Sequence, residues 1–161
     1  MAIASVLQNS FKTELLKGLH SFLASGGSAF KIALYSSGSA NLTTTSTAWV
    51  AASTPSADPT NTYEVTTTSS GYSSGGNALT NTGVGTTTVT SFTDFSDTSW
   101  TSASFTARGC LIYNSSTISG LTTDAAVCSI DFGGDKTVSS GTFTIQFPAN
   151  DSSSAIIRIT S

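Results

Sequence analysis

Asp94 and Asp97 flank Phe95 shortly before Trp100, a layout that invites comparison with the paired carboxylates of a glycosidase. Glycoside cleavage needs two carboxyl groups held at a set separation across a sugar-binding cleft. Nothing near these residues fixes such a geometry, and Asp-x-x-Asp before a strand is ordinary turn chemistry. Asp124, Asp131 and Asp135 offer carboxylates for calcium, but the EF-hand loop spacing is absent. Asp131-Phe132-Gly133 matches the magnesium-binding tripeptide of kinases without the glycine loop or catalytic loop that gives that tripeptide meaning. His20 is the one histidine, sits beside Leu19 without a motif around it, and reads as a surface or boundary residue. Cys110 and Cys128 are the two cysteines, each among apolar neighbours. They read as small hydrophobes in a core, short of the four ligands of a structural zinc site, and a disulfide between them stays open.

This inventory is thin. Catalysis and metal binding draw on clustered His, Cys, Asp, Glu and Lys. Here 6 Lys or Arg and 9 Asp or Glu are spread over 161 residues, and roughly a third of the positions are Ser or Thr. The expectation is a non-enzyme with no catalytic residues, no cofactor and no metal. A net charge of −3 with scattered cations argues against a nucleic-acid partner, which calls for clustered Lys and Arg. No run of about 18 apolar residues suggests a membrane span. The start, MAIASVLQNSFK, lacks the basic and apolar regions of a secretory signal, so synthesis in a cytoplasm with reduced thiols is expected. Sequon matches at Asn41, Asn114 and Asn150 are what abundant Ser and Thr produce by chance.

The elements that would position these residues fall into two groups. Residues 5–24 predict an amphipathic helix, with Ser5 and Gln8 as a capping box and Leu7, Phe11, Leu15, Leu19, Phe22 and Leu23 along one face. Gly26-Gly27 would end it and act as a hinge. Residues 1–27 are thus read as helix plus hinge, and residues 28–161 as a single β-sandwich domain. The apolar stripe has two uses: packing on its own domain, which is favoured, or docking on a partner through Phe11, Leu15, Leu19 and Phe22.

Beyond the helix the period changes to two. Ala29–Ser36 places Phe30, Ile32 and Leu34 on one strand face. Residues 37–85 are looser, with Pro55 and Pro59 bounding an exposed loop and short strands near Ala48–Ala51 and Thr62–Val65. Thr86–Phe95 and Trp100–Tyr113 read as strands, the latter with Phe105, Ala107, Gly109, Leu111 and Tyr113 on one face. Ala126, Cys128, Ile130 and Phe132 alternate with polar or smaller residues, and Gly133-Gly134-Asp135 reads as a turn into a strand over Thr137–Phe147. Pro148 stops that strand, and Ala155–Thr160 supplies the last one. The fold class is therefore mainly β: an antiparallel β-sandwich or jelly-roll-like domain with one N-terminal amphipathic α-helix. Asp135 and Lys136, at a turn tip, read as a solvated turn or as contacts to a neighbour. Trp49, Tyr63, Tyr72 and Trp100 would serve a carbohydrate-binding module if exposed; packing is their default role.

Four segments, KIALYSS (31–37), GYSSGGNALT (71–80), SFTARGCLIYN (104–114) and DFGGDKTVSSGTFTIQFPAN (131–150), resemble a family of small virion proteins of tailed bacteriophages. Cys110 stands where that resemblance leads one to expect Ala. The resemblance implies a virion component made in the host cytoplasm, such as a capsid cement or decoration protein, often trimeric and often built on a jelly-roll-like sandwich. Its implied partners are the major capsid protein and further copies of itself. A head–tail joining, tail or fibre-base role is the alternative within the same class, and a carbohydrate-binding module the alternative outside it.

Overall fold

The computed structural model describes residues 3–36, 42–51, 63–65 and 71–161. The chain folds as a two-sheet β-sandwich with one short helix. Strand β1 (Val6–Leu7) is followed by α1 (Asn9–Leu16), β2 (Phe30–Tyr35), β3 (Asn77–Leu79) and β4 (Asn81–Thr86). Then come β5 (Thr90–Phe95), β6 (Thr98–Asn114), β7 (Ala125–Ile145) and β8 (Ile157–Thr160). One sheet runs β1-β7-β6-β2-β3, the other β4-β5-β8, and the paired strands are antiparallel. The expected loop around Pro55 and Pro59 lies outside the described residues.

Strand β2 is hydrophobic at successive positions because both of its faces are covered. Phe30, Ile32 and Leu34 join the main core between the sheets, while Ala33 and Tyr35 join a second cluster with Ile3, Leu42, Leu111, Tyr113 and Ala126. That second face is roofed by segments 42–51 and 63–65. They are tied down by Ala4 N–H to Leu42 O (2.9 Å), Ala126 N–H to Thr47 O (2.9 Å) and Ser36 N–H to Tyr63 O (2.8 Å).

The expected helix over 5–24 is corrected to eight residues. Residues 6–7 instead pair with β7, Val6 opposite Ser129 and Leu7 opposite Cys128. Ser5 and Gln8 form no capping box. The Ser5 hydroxyl accepts from Asp131 N–H (3.0 Å), and the buried Gln8 amide donates to the Ser129 hydroxyl (3.1 Å). The helix stops at Gly18, whose φ of +72° allows Gly18 N–H to reach Leu15 O (3.0 Å) and Leu19 N–H to reach Glu14 O (3.0 Å). This left-handed glycine cap ends the helix. Phe22 stacks on Phe30 (ring centroids 4.6 Å) and meets Phe11 edge-on (6.1 Å).

Gly26-Gly27 is likewise a pinned turn and not a hinge. Ser28 N–H donates to Ser21 O (2.7 Å), and the Asn81 amide donates to Leu23 O (3.2 Å) and Ser28 O (3.1 Å). A side chain at Gly27 would run into the Leu23 backbone. The described part of this segment packs on the sandwich through Phe11 and Phe22.

Strands β6 and β7 pair from Thr98 opposite Ile145 to Asn114 opposite Ala125, so the two strands expected on either side of Gly133-Gly134 are one. The expected turn is a bulge: β6 spends two steps between Ala107 and Gly109 while β7 passes from Lys136 to Asp131. Bulges also correct the β6 face. Trp100, Ala103, Phe105, Ala107, Cys110 and Ile112 point into the main core, whereas Leu111 and Tyr113 point the other way. Gly109 sits at the change of phase, where a side chain would strike Ile130 O.

Phe22→Ala tests whether the N-terminal segment is part of this core. Phe22 is 6% exposed between Phe11 and Phe30, so its truncation is expected to cost about 3–5 kcal/mol in urea unfolding. A cost below about 1 kcal/mol would mean that the segment is not packed as described.

Candidate functional site

The residues expected to meet a partner separate into three sets. Phe11 and Phe22 are core residues, and Phe22 also lines the floor of a groove. Leu19 is half-buried, and half-buried Leu15 lines a groove. Asp135 and Lys136 are exposed at the β7 bulge.

The Leu15 groove, about 290 Å³, opens between the 15–23 segment and the small sheet. Antiparallel pairing sets Val84, Thr93 and Ile157 in one row and Ser91 beside Ile159, so these side chains share the sheet face that lines it. Leu23 (56% exposed), Val84 (59%) and Ile159 (59%) form a wet apolar rim around the buried Phe22 and Ile157. Sequence reasoning missed Val84 because Gly83 and Gly85 make β4 look like a turn. Gly85 is required there: a side chain would strike the Phe92 ring, which lies against the strand. Leu16, at the end of α1, is 91% exposed.

A second groove, about 560 Å³, runs along β7 and is lined by Ile130, Phe132, Phe143, Ile145 and Phe147, with Lys136 as its charged residue. β1 pairs only with Cys128 and Ser129 of β7, so no described strand pairs with the outer edge of β7 from Phe132 onward. Its bulges, and Ser140 at a φ of +48°, interrupt the regular ladder that an edge would otherwise present.

Several carboxylates hold backbone N–H groups. Asp94, 1% exposed, accepts from Phe95 N–H (2.8 Å) and Ile156 N–H (3.1 Å), and burial raises its pKa above the usual carboxylate value. Asp97 accepts from Phe147 N–H (2.8 Å). Both carboxylates tie neighbouring chain segments. Glu64 is buried and accepts from the Tyr72 hydroxyl (2.8 Å) and Gly75 N–H (2.6 Å), while Tyr72 in turn accepts from Leu34 N–H (3.0 Å). Asp131 pairs with Arg108 (2.9 Å) and accepts from Gly133 N–H (2.8 Å), organising the β7 bulge; the Arg108 hydrogen bond lowers its pKa. Such an exposed pair adds little stability. Asp124 lies away from it near Lys31, whereas Asp135 is near enough to Arg108 to act on its charge. Among the described residues, no three His, Cys, Asp or Glu side chains converge.

His20 is not on the surface. Its side chain is buried, with Nε2 3.2 Å from Glu14 Oε2, Nδ1 3.0 Å from Asn114 Nδ2, and Phe11 and Phe30 against the ring. Of the four aromatic residues considered for sugar stacking, Tyr72 and Trp100 are in the main core and stack on each other. Trp49 lies against Tyr113 (5.4 Å) and is half-buried with Tyr63. No helix among the described residues is long and apolar enough to cross a membrane.

No family model, curated protein or solved structure matches this chain.

Cys110 and Cys128 are buried, free and close enough to interact. Burial pushes the Cys128 thiol up to about 12, with Asp94 adding to the shift, and pushes Cys110 well above its ordinary value. Thiolate is the reacting form. At pH 8 the native protein is therefore expected to resist a thiol-specific reagent, and the denatured chain to take up two labels. Rapid native labelling would contradict this packing.

Proposed function

We propose that this protein is a non-enzymatic structural component of a bacteriophage virion, a capsid cement protein that binds the major capsid protein and other copies of itself. The observation that carries the reading is the apolar rim of Leu23, Val84 and Ile159 over the Leu15 groove. Exposed apolar side chains gathered at a groove suit contact with another protein surface. The polar groups support the same reading from the other side. Asp94, Asp97, Glu64 and Asp131 hold backbone segments, which favours a load-bearing body over a reacting centre.

Cement proteins resist the outward pressure of packaged DNA by bridging neighbouring capsomers. That task suits a two-sheet body with a hydroxyl-rich, weakly charged exterior, able to hydrogen-bond across wet interfaces. The segments resembling phage virion proteins overlap β2, β3, β6 and β7, four of the five strands of the large sheet.

Quantitative mass spectrometry of purified particles tests the proposal. Copies comparable in number to the major capsid protein are expected. About a dozen copies would move the protein to the neck or tail, and absence from the particle would overturn the virion reading.

A further inference from the structure

The side wall of the Leu15 groove contains a buried titratable group that the proposed function does not use. His20 lies between α1 and the end of β6, in the segment that connects α1 to β2. It faces Glu14 from α1, Asn114 from β6, and the rings of Phe11 and Phe30. Glu14 is the titratable neighbour in this set, and Asn114 is uncharged.

The hydrogen bonds fix which imidazole nitrogen carries the proton. Asn114 Oδ1 accepts from Ser116 N–H (3.0 Å), so its amide nitrogen is the end turned towards His20. An amide nitrogen only donates. His20 Nδ1 must therefore be a bare acceptor, leaving Nε2–H to donate to the Glu14 carboxylate. A proton added at Nδ1 would set N–H against N–H₂. Turning the amide over would relieve that clash only by giving up the Ser116 bond.

We propose that His20 is a proton-sensitive latch: the neutral imidazole fastens the 17–27 segment to the large sheet, and protonation loosens it and uncovers the apolar floor of the groove. The pKa of His20 is lowered from its ordinary 6.5, chiefly by burial and against the opposing pull of Glu14, in keeping with this geometry. The sign follows from linkage. The closed form binds fewer protons than the open form, so closure is strongest above the ordinary histidine pKa and weakens as pH falls below it. The opening equilibrium can rise by up to about tenfold for each pH unit below that value, until the closed form itself takes up the proton. The proposal does not rest on the virion reading, because latch and groove belong to the isolated chain.

Two solution NMR measurements on the full chain test it. At pH 7.5, long-range ¹H–¹⁵N correlations of the His20 ring should show Nε2–H with Nδ1 bare; an Nδ1–H tautomer or an imidazolium would overturn the assignment. Between pH 7.5 and 5.5, amides of residues 17–27, corrected for intrinsic exchange chemistry, should open about tenfold more often, with β6 and β7 amides unchanged. His20→Gln should remove this acid response. Asn114→Asp supplies an acceptor for Nδ1–H, so it should raise the histidine pKa above 6.5 and also abolish the loosening. An acid response that persists in both variants, or is missing in the wild-type protein, would overturn the latch.

Discussion

Burial of β2 on both faces is the constraint from which the rest of the molecule follows. A strand carrying Phe30, Ile32 and Leu34 on one side and Ala33 and Tyr35 on the other leaves no face for water. One cover is built from the three-stranded sheet, α1 and the 17–27 segment, which deliver Phe95, Ile157, Phe11 and Phe22 to the main core. The other is built from irregular chain, which brings Leu42, Trp49 and Tyr63 over the outer face. Irregular chain can roof a sheet only if its backbone polar groups are satisfied. The bonds to Ala4, Ser36, Asp124 and Ala126 serve that purpose.

The same need explains where the few charged side chains went. Asp94 and Asp97 gather backbone N–H groups from the 147–156 region, and Glu64 gathers the turn at Gly75. A buried carboxylate is tolerated when such donors surround it. In a chain rich in hydroxyls and poor in charge, these carboxylates act as brackets between segments that have no regular pairing. The surface left over is weakly charged, with its apolar exposure concentrated at Leu16, Leu23, Val84, Val89 and Ile159.

Much of the fold was legible in the sequence where period-two alternation was unbroken, as in Phe30–Tyr35 and Phe143–Ile145. It became illegible at two kinds of place. At bulges the inward-facing set shifts by one residue, so the face read from Phe105 through Tyr113 divides at Gly109. At glycines, a cap, a close approach and a flexible joint look alike in sequence: Gly18 ends the helix, Gly85 admits the Phe92 ring, and Gly27 closes a turn. The apolar stripe from Leu7 to Leu23 kept helical spacing while serving a strand, a helix and an irregular segment in turn, because each had to bury residues against the same sheet. The Leu15 groove was out of reach as well, since it is assembled from Leu23 of an irregular segment and from Val84 and Ile159, far apart in sequence but on one small sheet.

The central claim is that β1, α1 and the large sheet form one cooperative core. Native-state hydrogen exchange at pH 7.5, followed against denaturant, tests it most directly through the Gln8 amide, which donates to Val127 O (3.0 Å), and the amides of β2. The account expects these sites to merge into a single opening with the free energy of global unfolding. A Gln8 amide that exchanges through a separate, much easier opening while β2 stays protected would contradict it.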